Sequence, residues 1–205
     1  LLLALSCIII ALVNPKMGTK METVKRQGID IVFAVDISKS MLAEDVAPNR
    51  LEKTKQIVSQ IINQLGNDRV GIVGYAGSAY PVLPMTTDYS IAKMYLQSMN
   101  TNMVSSQGTA FNDAIQLAVD FFDVKDTSKL IILISDGEDH GEGAEDAIEM
   151  AKEKGVRILT IGVGTEKGGP IPLRDDKGTI ASYKKDSEGQ TVTTKLYPEV
   201  LKNIA

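Results

Sequence analysis

Residues 29–36 read IDIVFAVD and run directly into Ile37-Ser38-Lys39-Ser40, and this stretch decides the fold. Apart from Asp30, everything from Ile29 to Val35 is apolar, and much of it is β-branched. A strand with one wet face alternates apolar and polar side chains. A nearly continuous apolar run is expected instead of a parallel strand covered on both sides. The run stops at a carboxylate, Asp36, and gives way to serine-rich turn chemistry.

Outward from this strand the chain alternates between two periods. Residues 51–65 place Leu51, Ile57, Val58, Ile61, Ile62 and Leu65 at helical spacing, and Gly66 and Asn67 stop the helix. Residues 69–75 (RVGIVGY) predict a second strand, and residues 79–83 a short edge strand ended by Pro84. Asp88 is placed to cap a helix running to about residue 99. Residues 109–122 predict a helix with Ala110, Ala114, Leu117, Ala118, Phe121 and Phe122 facing inward. Residues 129–135 (KLIILIS) predict a third central strand. Residues 144–154 predict a helix closed by Gly155, and residues 156–163 (VRILTIGV) a fourth strand. Strands alternating with helices of this length imply an α/β fold. Its sheet is doubly wound and mostly parallel, with helices on both faces. Gly168, Gly169, Pro170, Pro172 and Gly178 mark turns in the tail. A small hairpin is expected over residues 182–194 around 187–189, and a last helix over 196–204.

Bulk composition fits one globular domain with appendages: 205 residues, 43% hydrophobic and 23% charged. The net charge of -4 lacks the basic footprint that phosphate neutralisation requires, so no nucleic-acid partner is expected. The single cysteine, Cys7, excludes an intrachain disulfide and a cysteine-based zinc site. It lies in the apolar run LLLALSCIIIALV of residues 1–13. That run falls short of the roughly 20 residues a bilayer requires and reads as the exit end of a transmembrane helix. A signal-peptide core and a buried helix are the alternatives. Asn14 and Pro15 end the run, and Lys16, Lys20, Lys25 and Arg26 follow at headgroup level. The expected division is therefore the end of a membrane helix (1–15), a juxtamembrane linker (16–28) and one folded domain (29–205).

Three pieces carry chemistry: Asp36-Ile37-Ser38-Lys39-Ser40, Gly108-Thr109 at the start of a helix, and Ser135-Asp136-Gly137 after a strand. In a doubly wound sheet all three fall at the carboxyl ends of strands or in neighbouring loops, where such sheets bind ligands. Asp36 and Asp136 offer carboxylate oxygens, and Ser38, Ser40 and Thr109 offer hydroxyls. This oxygen set suits a hard divalent cation, Mg2+ first, with Mn2+ or Ca2+ as alternatives. If the carboxylates act largely through water, the direct ligands are neutral. The ion then stays electrophilic enough to accept a partner's carboxylate.

The three motifs in this order resemble the metal-ion-dependent adhesion site of von Willebrand factor A domains and integrin inserted domains. The resemblance implies that Ser38, Ser40 and Thr109 contact the metal and that Asp36 and Asp136 do so directly or through water. The strings VDISKSMLAEDVAPNRLEKTK, RVGIVGYAGSAYPVLPMTTD and ISDGEDH, with GGPIPLRDDKG in the tail, are similar to the membrane-bound A-domain proteins of the Bacteroides aerotolerance (Bat) family. That similarity implies a bacterial inner-membrane protein with a periplasmic A domain. It also implies other membrane A-domain proteins and a MoxR-type AAA+ ATPase system as partners, and a role in envelope-complex assembly or aerotolerance. The basic residues after Val13 point the other way under the positive-inside rule.

Other features have simpler readings. Gly71, Gly74 and Gly77 lie within and just after a strand, so close packing explains them better than a phosphate cradle. Gly77 and Ser78 are placed to border the metal site. His140, the only histidine, lacks a nucleophile elbow nearby and reads as a solvated loop residue. Met94, Met99 and Met103 read as core filler. Glu44, Asp45, Glu138 and Asp139 are placed to flank the site and bias partner choice. The expected role is a non-enzymatic binding module. The alternatives are a haloacid-dehalogenase-like phosphatase, in which Ser38 stands where an acid is required, and a structural A domain without metal.

Overall fold

A computed structural model describes residues 3–4, 28–104, 108, 110–124, 127–138, 144–175 and 178–205. Strand β1 (Ile29–Asp36) pairs in parallel with β2 (Arg69–Tyr75) on one side and β4 (Ser128–Ser135) on the other. β5 (Val156–Gly162) extends the sheet in parallel beyond β4, and β3 (Ala79–Thr86) closes the other edge antiparallel to β2. The order is β3-β2-β1-β4-β5, mixed but mostly parallel, as expected.

Burial on both faces explains the continuous apolar run of β1. Side chains alternate across a strand, so Ile31, Phe33 and Val35 enter one core and Val32 and Ala34 the other. The first core is covered by α1 (Arg50–Gln64) and α2 (Tyr89–Ser98). The second is covered by α3 (Phe111–Asp120), α4 (Glu145–Glu153) and α5 (Pro198–Ile204). Local chemistry sets the helix starts. Asn49 accepts from the Glu52 N–H at 2.8 Å to cap α1, and Asp88 accepts from Ser90 and Ile91 to cap α2. Gly155, at φ +67°, closes the turn after α4.

Several expectations are corrected. β3 continues through Pro81 and Pro84 to Thr86, because an edge strand has no partner on its outer side to miss their N–H groups. Its register against β2 shifts on either side of Ile72. The inward stripe of α3 is Phe111, Ala114, Ile115, Ala118 and Val119; Leu117, Phe121 and Phe122 pack at its margin. In the tail, β7 (Pro172–Arg174) pairs with β8 (Ile180–Tyr183), and β6 (Gly169–Pro170) pairs with β9 (Thr193–Thr194). The turn around 187–189 exists, closed by the Asp186 N–H to Gln190 O bond. It joins only the single bridge Lys185–Thr191 instead of a full hairpin. Of the three methionines only Met99 is buried, while Met94 and Met103 are exposed. No described helix is long and apolar enough to cross a membrane. The membrane-helix and linker segments, 1–15 and 16–28, lie outside the described residues except for Leu3, Ala4 and Gly28.

The glycines of β2 are there for space. A Cβ on Gly71 would stand 2.9 Å from Met85 Sδ and from Phe121 Cδ2. On Gly74 it would stand 2.5 Å from the Tyr80 hydroxyl and 3.2 Å from Met99 Cε. The Tyr80 hydroxyl is itself buried without a hydrogen-bond partner. Gly74→Ala is therefore expected to destabilise the fold by about 1–3 kcal/mol through overpacking. Tyr80→Phe in the same chain should recover part of that loss, because it deletes the nearer clashing atom and an unsatisfied polar group, while the ring carbon Cζ, 2.6 Å from the added Cβ, remains. Urea unfolding of the two single variants and the double variant checks this; additive losses would contradict it.

Candidate metal centre

Parallel register brings the strand ends level. Asp36 pairs with Tyr75, and Ser135 pairs with Gly162, so the C-termini of β1, β2, β4 and β5 share one edge. From β1 the chain builds outward through β2 to β3, then returns to lay β4 on the other side of β1. That reversal opens a crevice between β1 and β4, and Asp36, Ser135 and Asp136 sit at it.

Asp36 is fully buried. Its Oδ1 accepts from the Ser38 N–H at 2.8 Å, and its Oδ2 accepts from the Ser135 hydroxyl at 2.6 Å. The Ser38 and Ser40 hydroxyls lie 2.9 Å apart, and Ser40 also hydrogen-bonds Asp136. Asp36, Ser38, Ser40 and Asp136 thus form one hydrogen-bonded string at the sheet edge. The 3-10 turn Lys39–Leu42 presents the two serines on the same side. Ser135 braces the opposite wall, since its Oγ accepts from the Gly137 N–H at 3.0 Å. The Asp136 carbonyl accepts from Tyr197 N–H at 2.8 Å, and a Cβ on Gly137 would collide with the Tyr197 carbonyl. Gly137, at φ +76°, is required there both for its backbone angle and for this approach.

Four of the five expected site residues are therefore brought together: Asp36, Ser38, Ser40 and Asp136. Thr109 lies outside the described residues, as do Asp139 and His140. Its neighbour Ala110 is anchored, donating its N–H to the Ala76 carbonyl at 2.7 Å. The flanking acids do not stand together. The Asp45 side chain is only 3% exposed and turns inward to Arg50; Glu138 accepts from the Thr194 hydroxyl at 2.8 Å; Glu44 pairs with Arg174.

Arg50 is the residue that motif reasoning missed. It is fully buried, and all five of its N–H donors are used. Nε and Nη2 grip Asp45 at 2.8 and 2.9 Å. Nη1 reaches Asp136 Oδ2 at 2.7 Å and Thr194 Oγ1 at 3.2 Å, and Nη2 reaches the Thr194 carbonyl at 3.0 Å. A signal existed in the sequence. An arginine at the first position of a helix opposes the macrodipole and needs another reason to be there.

The electrostatics are dominated by acid. Burial, and then the charge of Asp136, push the Asp36 carboxyl up to about 7. Burial raises Asp136 as well, against hydrogen bonds from Ser40 and the Glu138 N–H and the charge of Arg50. Among the described residues no three His, Cys, Asp or Glu side chains converge, so the donors here are two carboxylates and hydroxyls. Such a set could hold a hard divalent cation and lacks the soft ligands that other metals favour. In metal-free protein, the raised Asp36 value means that its stabilising contribution is complete below the ordinary 3.8 and is lost as pH rises through about 7. In chelator, the Tm is expected to fall more steeply between about pH 5 and about pH 7.5 for the wild type than for Asp36→Asn. Parallel profiles would remove Asp36 as the source.

Known proteins share this fold. The von Willebrand factor type A domain matches residues 30–189. The solved structure of BatB from Bacteroides thetaiotaomicron is 43% identical, covers 87% of this chain and 85% of its own, and superposes with a TM-score of 0.82. That of an aerotolerance-related membrane protein from Bacteroides fragilis is 38% identical, covers 87% of each chain, and has a TM-score of 0.81. A curated relative, a UPF0353 protein of Mycolicibacterium paratuberculosis, is 32% identical over 87% of this chain, which spans only 57% of that relative's length. The chain belongs to the von Willebrand factor type A domain family, in the group that includes BatB of Bacteroides.

Proposed function

We propose that this chain is a membrane-anchored, metal-dependent protein-binding module. The observation that carries the reading is a buried carboxylate without a counter-cation. Among the described residues, Asp36 has hydrogen-bond donors around it but no cation within salt-bridge distance, and Asp136 shares Arg50 with Asp45. A divalent ion, Mg2+ with Mn2+ or Ca2+ as substitutes, would neutralise this pair. Ser38, Ser40 and Thr109 would hold it, with Asp36 and Asp136 acting directly or through water. When bound, the ion supplies an electrophilic position for the carboxylate of a protein partner. The chain's own residues do the rest: Ser135 orients Asp36, and Arg50 orients Asp136.

The apolar run of residues 1–13 and the membrane-protein description of the Bacteroides fragilis relative support a membrane anchor, which the proposal places in the inner membrane with the domain on the periplasmic side. The aerotolerance-related description of the same relative supports a link to aerotolerance, and envelope-complex assembly is the proposed role within it. Other membrane A-domain proteins and a MoxR-type AAA+ ATPase system are the proposed neighbours. An enzymatic role has less support. Both Asp36 oxygens are engaged, the side chain is fully buried, and Ser38 stands where a phosphatase of the haloacid-dehalogenase type requires an acid.

Calorimetric titration of Mg2+ and Mn2+ is expected to show binding that Asp36→Ala weakens by about tenfold or more while the variant stays folded. Equal binding by the variant, or none by the wild type, would overturn the metal reading. Hydrolysis of p-nitrophenyl phosphate that depends on Asp36 would favour the enzyme instead.

A further inference from the structure

Arg50 has an unusual position for a cation beside a cation site. Its Nη1 stands 2.7 Å from Asp136 Oδ2, while its Nε and Nη2 hold Asp45 on the side away from the metal loop. Neither Arg50 nor Asp136 has solvent-exposed side-chain surface, so this contact is poorly screened. The guanidinium cannot swing away when a second cation arrives. Its five donors are all committed, and a Cβ on Gly164 would already lie 3.0 Å from Nε. Asp45 is held in turn by the Thr165 N–H at 2.8 Å and the Thr165 hydroxyl at 3.0 Å.

From this geometry we propose that Arg50 is a built-in counter-cation that sets the divalent-ion affinity of the site, with Asp45 as the acid that limits its effect. The proposal rests on the metal reading given above. Arg50 occupies one oxygen of Asp136 and places a fixed positive charge near the ion, and both effects weaken ion binding. Asp45, on the far side of the guanidinium, cancels part of that charge. Arg50 therefore keeps Asp136 ordered before the ion binds, at the expense of affinity. It also links the site to the tail, because the same guanidinium donates to the hydroxyl and carbonyl of Thr194 in β9. Thr194 in turn bonds Glu138, two residues after Asp136. The ion site and the tail strand thus share one charged group.

Opposite signs distinguish this role from a merely structural one. If the Arg50–Asp45 pair only braces the fold, Arg50→Gln and Asp45→Asn both disorder the site and both weaken ion binding. If Arg50 acts as a counter-cation, Arg50→Gln binds Mn2+ about fivefold or more tighter than wild type, and Asp45→Asn binds it more weakly. Calorimetric titration of Mn2+ into the whole chain and the two variants reads this directly, with thermal unfolding in chelator to confirm that each is folded. Should Arg50→Gln not fold, the double variant Asp45→Leu/Arg50→Met replaces it, because removing both charges together leaves no orphaned charge at position 45 and leaves Asp136 to be neutralised by the added ion. Tighter Mn2+ binding by that variant supports the proposal. Equal or weaker binding by the folded Arg50 variant overturns it. Failure of the wild type to bind Mn2+ instead overturns the metal reading itself.

Discussion

A carboxylate at the end of a strand with no wet face is the constraint on which the rest of this structure depends. β1 lies at the middle of the sheet, and its side chains feed two separate cores in alternation. Such a strand must be apolar throughout, must be covered by helices on both sides, and must pair with parallel neighbours. Those demands explain the helices on each face and the edge position of the antiparallel strand. They also deliver Asp36 into the interior, where the Ser38 N–H and the Ser135 hydroxyl stand in for water. An ionised group in that position is costly, and the cost appears as its raised pKa.

A second buried network stands beside the first. Arg50, Asp45 and Asp136 exchange charge-assisted hydrogen bonds in a region without solvent, where breaking one partner leaves another uncompensated. Thr165 and Thr194 complete the network, so the short tail strands β6 and β9 are tied to the sheet edge through polar contacts. The last helix is attached separately. Tyr197, which precedes it, donates to the Asp136 carbonyl, and Leu201 and Ile204 fill the second core. The loop carrying Asp136 is thus held from the α1 side by Arg50 and from the tail by Thr194 and Tyr197. Its geometry is over-determined before any ion is considered.

Much of this was legible residue by residue. The period of side-chain burial marked β1, β2, β4 and β5, and Asp88 and Gly155 marked helix ends, because these signals act over a few residues along the chain. The spacing of Asp36, Ser38 and Ser40 marked the site for the same reason. The short tail strands were less legible. β6 and β9 are two residues each, too short to carry a period, and their pairing spans more than twenty residues of turn-rich sequence. Met94, Met99 and Met103 also look alike in sequence, yet of these three only Met99 meets a core, since burial depends on where α2 ends against β2.

Sequence by itself determined the α/β class, the strand order of chemistry-bearing motifs, and the oxygen-donor character of the site, because each follows from local residue type and spacing. Only the tertiary structure decided which charges face each other. Arg50 and Asp136 are 86 positions apart, and Arg50 and Thr194 are 144 apart. Asp45 looked like a rim acid and proved to be an inward-facing partner of Arg50. Electrostatic pairing depends on distance through space and on the exclusion of water, and a linear pattern encodes neither until the sheet has closed around it.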